Sequence, residues 1–454
     1  MRQMNFALAL LAAAALAACG GTGSSGGDQT HKVAFTQQVT FGDSLSDVGT
    51  YNVGAITAAG GGKFTINGDN TATNAVLTGK NWTEVLAAEL NLPAPCAAQT
   101  GLNGTDSATP AADFKVAVVN NANCFNYAQG GARVSNPIGP GNAAVKPELG
   151  ELTVPVTTQV ANHLAKTGGK FSGTELVTIM AGGNDVLMLL GGLNTAATTA
   201  GTAEGQKAFA TSLATQLAAG ATNPATAAAA IGQAIAIESA RAGSTPTTVV
   251  GAAVAAAYAA GNTAAASPAV YGPMVATAQA AAGTAGAAAG LQYAATEGPK
   301  LVGVMAGYGA ELAKLVKEQI VAKGANYVVV NNLPDVASTP SGKAQSESTQ
   351  KLIGAMVDAF NAQLKADLGT DPKIAYVDLF AVSKDQVVNP AIYGLTNTTQ
   401  KACTTESSLT CTIKTLSAPD VSHYMFADDI HPTPYEYWLV TRYVLKDMAV
   451  KGWL

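Results

Sequence analysis

Four short stretches hold side chains suited to acyl-transfer chemistry, and no one of them suffices alone. Gly42-Asp43-Ser44-Leu45 follows the apolar run 38–41. A serine that ends a strand and opens a helix has backbone N–H groups and the helix dipole beside it, and both favour negative charge developing there. The alternative use of Ser44 is as the N-cap of a turn. A hydroxyl is a weak nucleophile until a base takes its proton, which turns attention to the four histidines. His31 falls in a Gly/Ser-rich stretch, His163 in the helical pattern TTQVANHL, where a surface position is expected, and His423 in an unpatterned loop. His431 differs, because Asp428-Asp429-Ile430-His431-Pro432 sets a carboxylate three residues before the imidazole. In a tight turn Asp428 can accept the proton of one ring nitrogen and leave the other free to act as a base. Thr433-Pro434-Tyr435-Glu436 then reads as a capping box with a helix starting at Pro434, so His431 is expected on a loop just ahead of it.

The same chemistry needs donors aimed at an oxyanion. Asn126-Tyr127-Ala128-Gln129-Gly130-Gly131-Ala132 is a glycine turn with unobstructed N–H groups, of which Gly130 is the expected donor. Ala181-Gly182-Gly183-Asn184-Asp185 follows a strand-like run, so the Asn184 amide would reach the mouth of a parallel sheet. Both stretches also read as ordinary turns between sheet and helix. Gly23-Ser24-Ser25-Gly26-Gly27 is a formal G-x-S-x-G, but it lacks the strand and helix that a nucleophile elbow requires.

Positioning these stretches requires a regular scaffold. Strand-like runs at 38–41, 175–180, 327–330 and 374–377 alternate with helical patterns at 81–90 and 311–324. A further helix is marked by Leu352, Met356, Phe360, Leu364 and Leu368. Such alternation predicts an α/β layer fold on a mostly parallel sheet. Residues 191–300 stand apart: they are rich in Ala, Gly and Thr and carry six charged residues. Small residues supply little transfer energy, so small amphipathic helices are expected there rather than a membrane span. This partly loose helical insertion leaves the core soon after Asn184 and is expected to act as a cover over or beside the active site.

Arg2, the apolar run 6–18 and Leu16-Ala17-Ala18-Cys19 look like a signal segment (1–18) ending in a bacterial lipobox, with Cys19 as the lipidated residue. An ordinary secretory signal cut nearby is the alternative; in either case the chain is exported, to the cell envelope or beyond. Residues 19–32 would form the anchor and its flexible tether, and 33–454 the folded domain. Export permits disulfides. The other cysteines, Cys96, Cys124, Cys403 and Cys411, allow three pairings, and the expected one closes the two local loops, 96 with 124 and 403 with 411. No Cys/His spacing resembles a zinc site. With 12% charged residues, a net charge of −5 and no Lys/Arg cluster, nucleic acid is not an expected partner.

Together, GDSLSD with Ser44, NYAQGG with Gly130, GGND with Asn184 and DDIHP with Asp428 and His431 resemble the four ordered blocks of the SGNH hydrolases, the GDSL lipase/esterase family. Residues 329–340 and 359–361 look like its bacterial lipase and phospholipase-like branch. The resemblance implies a flavodoxin-like three-layer α/β/α fold with the site at the carboxyl ends of the strands. It further implies ester hydrolysis with Ser44 as nucleophile, His431 as base, Asp428 as its partner, and an oxyanion hole of Ser44, Gly130 and Asn184. The partner implied is an acyl ester, with no metal or organic cofactor. The family also includes acyltransferases and thioesterases, and the insertion departs from its compact pattern.

Overall fold

The computed structural model describes residues 33–68, 78–102, 116–141 and 152–454. The expected signal segment, Cys19, the expected tether and His31 lie outside the described residues. The strands described are β1 (Gln38–Gly42), β2 (Gln99–Leu102), β3 (Val116–Asn120), β4 (Leu176–Met180), β5 (Tyr327–Asn331), β6 (Ile374–Val377), β7 (Asn397–Lys401) and β8 (Tyr424–Phe426).

The central sheet is wholly parallel, in the order β1-β4-β5-β6. Residues 125–129 run alongside β1 as an irregular fifth strand. Thr40 N–H donates to Phe125 O at 3.0 Å, and Thr40 O accepts from Tyr127 N–H at 2.8 Å. Counted with that segment, the strand order is the 2-1-3-4-5 of flavodoxin-like folds. The register sets Gly42 opposite Met180, so the chain after β1 and the chain after β4 leave the sheet side by side. That is the switch point where α/β sheets place ligands.

Both faces of the sheet are buried, which is why its strands read as nearly continuous apolar runs. On one face Val39, Phe41, Val177, Ile179, Val328 and Val330 join a single core. It is covered by helices α2 (Val156–Lys166), α6 (Pro268–Leu315) and α7 (Glu347–Leu368). On the other face Leu176, Met180, Val329, Ala375 and Val377 pack against α1 (Trp82–Glu89) and α9 (Pro434–Val450). The result is the expected three-layer α/β/α architecture. The two disulfides close the local loops, Cys96–Cys124 and Cys403–Cys411.

The insertion is more regular than expected. Helix α3 runs without a break from Gly183 to Ala218, so residue 191 lies inside it, and residue 300 likewise lies inside α6. No proline interrupts α3, and its interior glycines each cost roughly 1 kcal/mol against alanine. The two long helices lie backbone to backbone. A Cβ on Gly286 would stand 2.8 Å from Gly201 O, and one on Gly205 3.0 Å from Ala282 O. At the far end α4 (Pro224–Ser239) and α5 (Pro246–Ala259) close a separate core around Leu213, Leu217, Ile231 and Ile235. Among the described residues no helix is long and apolar enough to cross a membrane.

Candidate active site

Ser44 sits in a turn directly after β1 and opens no helix. Local bonds compete with helix formation here: Asp43 Oδ1 accepts Leu45 N–H at 3.0 Å, and Asp43 O accepts Ser46 N–H. Asp47 Oδ1 accepts the N–H groups of Gly49 and Thr50. The positive helix end expected at Ser44 is supplied instead by α3, whose first residues, Gly183 and Asn184, line the same cavity as Ser44.

His431 Nε2 lies 2.8 Å from Ser44 Oγ, and its Nδ1 lies 2.9 Å from both carboxylate oxygens of Asp428. The turn that joins the two residues is held by Asp428 Oδ1, which accepts the N–H groups of Ile430 and His431 at 2.9 and 2.7 Å. Oδ2 accepts Ser408 N–H at 2.6 Å. Burial raises the Asp428 pKa, but the charge of His431 and these hydrogen bonds outweigh it and hold the carboxyl well below the usual range. Phe64 packs on the imidazole with ring centroids 4.8 Å apart. Neither Ser408 nor Phe64 is visible as a site residue in the sequence, because each approaches from a distant loop.

Helix α9 starts at Pro434 as expected, with Thr433 Oγ1 accepting Glu436 N–H. The capping box is incomplete, since the Glu436 carboxyl group accepts from Nε2 of Gln386, on helix α8 (Leu379–Val388).

Gly130 and Asn184 come to the same region, with one correction. Gly130 N–H donates to Asp47 Oδ2 at 2.9 Å and so is committed within the protein. Glycine is required here for closeness: a Cβ would stand 2.4 Å from the Phe64 ring and 2.7 Å from that of Tyr51. Gly131, one residue on, lines the cavity, and its N–H and that of Ser44 make no hydrogen bond among the described residues. Asn184 Nδ2 gives one hydrogen to Ala132 O at 2.9 Å, which leaves its second N–H to face the cavity.

Two buried acids tie these pieces together. Asp47 joins the Ser44 turn to Gly130, and burial, countered by N–H donors, moves its pKa up to about 6. Asp185, next to Asn184, accepts Arg133 Nε at 2.8 Å and Val134 N–H at 3.0 Å. Asp43, beside Ser44, is pushed up to about 7 chiefly by burial.

His163 is fully buried, contrary to the expected surface position. Phe41, Phe125, Tyr127 and Phe171 surround its ring at 4.5 to 6.2 Å, and burial lowers its pKa to about 4. His423 lies near Tyr435 with Nδ1 2.6 Å from Gly394 O, away from the cavity.

The cavity beside Ser44 and His431 measures about 300 Å³. Its lining includes Leu45, Phe64, Met180, Leu333, Leu379 and Val440. No described residue of 191–300 contributes to its lining. Helices α3 and α6 carry the inserted segment onward, and its apolar side chains are used in its own distal core.

The sequence pattern of the GDSL-like lipase/acylhydrolase family matches residues 39–287 and 292–444. Similar curated proteins include a GDSL esterase/lipase of Arabidopsis thaliana, 29% identical over 133 residues, which are 26% of this chain and 37% of that protein. A second from the same plant is 23% identical over 171 residues, or 36% and 48% of the two chains. The chain thus spans less than half the length of these relatives. Since the family pattern covers most of the chain, including all four site stretches, the protein belongs to the GDSL-like lipase/acylhydrolase family.

Proposed function

We propose that the protein is a serine esterase or lipase that cleaves carboxylic esters, of lipids or of short-to-medium acyl chains, through an acyl-enzyme. The observation that carries this reading is the 2.8 Å contact of Ser44 Oγ with His431 Nε2, on a ring whose other nitrogen faces Asp428. His431 takes the Ser44 proton as Oγ bonds to the ester carbonyl carbon. Asp428 keeps the ring in the tautomer that leaves Nε2 basic, and it stabilises the imidazolium. The carbonyl oxygen, now anionic, accepts from Ser44 N–H, Gly131 N–H and the free N–H of Asn184, with Gly131 taking the role first expected of Gly130. The departing alcohol takes the proton from His431. Water then repeats the sequence on the acyl-enzyme, releasing the acid and returning the proton to Ser44.

This reading extends to location. Leu16-Ala17-Ala18-Cys19 and two disulfides support an exported lipoprotein of the bacterial branch, held at the envelope through Cys19. Ser44→Ala should lower kcat on p-nitrophenyl acetate by several orders of magnitude while the melting temperature holds; unchanged turnover overturns the reading. Cys19→Ser should release the protein from the membrane fraction with that turnover intact, and a mature chain found to begin elsewhere contradicts the anchor.

A further inference from the structure

The Cys403–Cys411 disulfide joins the strand that leads into Asp428 to the segment that packs on His431. Cys403 follows β7, which pairs with β8, and Cys403 N–H donates to Ala427 O at 2.9 Å, one residue ahead of Asp428. On the other side Cys411 O accepts Asn67 N–H at 2.8 Å, and Leu409 O accepts Gly62 N–H at 2.9 Å. Asn67 Nδ2 adds a bond to Ser408 O at 3.0 Å. Segment 62–67 carries Phe64, the ring that lies on His431, and Leu409 shares a small core with it.

Between the cysteines lies a polar turn, residues 404–410, that reaches Asp428 itself. Asp428 Oδ1 takes its N–H donors from Ile430 and His431, inside its own turn, whereas Oδ2 takes Ser408 N–H at 2.6 Å from outside it. That same Oδ2 lies 2.9 Å from His431 Nδ1. Where Ser408 N–H stands therefore decides where an oxygen facing the imidazole stands. Ser408 opens a short 3-10 turn (Ser408–Thr410), an element too brief to hold its place unaided. Chain entropy is a weak reason for the bond. Its cysteines are 8 residues apart against 28 for Cys96–Cys124, and the shorter ring removes less freedom from the unfolded chain. Its larger effect is on the folded protein, where it confines the turn.

We propose that the Cys403–Cys411 disulfide is a positioning element of the reaction: by closing the 404–410 turn it keeps Ser408 N–H on Asp428 and Phe64 on His431, so that full turnover requires this bond to be oxidised. The proposal rests on the ester-hydrolase reading above. The cysteines and Ser408 act through Asp428 and His431 and take no part in bond cleavage. A phosphine or thiol reductant, delivering two electrons while the sulfurs take up two protons, converts the bond to two thiols and releases the turn.

The test measures kcat and KM for p-nitrophenyl acetate in the full chain and in Cys403→Ala/Cys411→Ala, at a temperature where circular dichroism shows both folded. In the double variant kcat should fall about 10- to 100-fold, the scale of a small misplacement of reacting groups, while KM stays within about twofold. The far-downfield proton resonance of His431 Nδ1–H, sharp in the parent, should shift or broaden. A lower melting temperature with kcat intact overturns the proposal and leaves the bond a staple. A raised KM with kcat intact overturns it in favour of substrate binding through Ser407, which lines the cavity. If the double variant does not fold, the parent is reduced with a phosphine in sub-denaturing urea, and alkylation with peptide mass spectrometry locates the opened bond. Turnover should then fall in proportion to opening of Cys403–Cys411 and return on reoxidation. Turnover that persists with this bond open, or that follows Cys96–Cys124 instead, overturns the proposal. A parent that does not hydrolyse the ester removes the esterase reading itself.

Discussion

The two ends of helix α3 are held by opposite means. In its first turn Asn184 bonds to Ala132 O, while Asp185 takes both Arg133 Nε and Val134 N–H, all of them buried. About five to six turns further on, the same helix meets α6 through Gly201 and Gly205 against Gly286 and Ala282, with no side chain between the backbones. The ion pairs of this region, Glu204–Lys207, Glu238–Arg241 and Glu297–Lys300, are i,i+3 pairs on the helix surface. Directional bonds to buried partners fix a side chain to a few tenths of an ångström, which a site needs. Close packing of small residues fixes only the separation of two rods, and that suffices for a segment that lines no part of the cavity.

If that contrast is right, disturbing the polar end should cost both activity and stability. Asp185→Asn leaves Arg133 buried beside a neutral amide, a change of the kind that costs about 3–5 kcal/mol. Because Arg133 follows Ala132, whose carbonyl holds Asn184, kcat should drop as well. Chemical denaturation and turnover on a soluble ester, measured on the same preparation, check both effects; a loss of stability with kcat intact would separate Asp185 from the site.

The small-residue end should respond in stability alone. Gly286→Leu drives a side chain against the backbone of α3, and overpacking of this kind costs about 1–3 kcal/mol. Turnover should stay at the parent value. Gly205 and Ala282 already touch, so residues 206–281 can be replaced by a tight Gly-rich turn that joins the two helices. The trimmed protein should keep the parent's profile across acyl chain lengths. A selective loss on long chains would restore the covering role that the sequence suggested.

The smallest effect is a dependence on pH that belongs to the half that carries the candidate site. Asp47, Asp43 and Glu436 are raised by burial to about 6, 7 and 8, so the folded protein retains protons that the unfolded chain has lost. Their contribution to stability is full below about pH 4 and is lost as pH climbs through those values. His163, lowered to about 4, acts in the opposite sense and loses its contribution as pH falls from about 6.5. Melting temperature should therefore decline from pH 6 to pH 9, and Glu436→Gln should flatten the part of the decline above pH 7.

What was legible in the sequence divides along the same line. The strands at 175–180 and 327–330 and the helix through Met356, Phe360 and Leu364 carry dense apolar patterns that packing only reinforces. Ser44, Asp428 and His431 were readable because each belongs to a short local turn. The features that were missed depend on distant partners. The burial of His163 requires four rings from separate segments, and the commitment of Gly130 N–H requires Asp47 from the turn that follows β1. Helix α3 was hidden for a different reason: Ala and Gly give little amphipathic signal. The four-residue spacing of Gly201 with Gly205, and of Gly286 with Gly290, was the readable trace of its close partner.

The central claim is that Ser44 is a nucleophile activated by His431. It is tested most directly by reacting the intact protein with a fluorophosphonate and locating the adduct by peptide mass spectrometry. The account predicts a single adduct on Ser44, absent in Ser44→Ala and formed far more slowly in His431→Ala. An adduct on another serine, or labelling undiminished in Ser44→Ala, would contradict it.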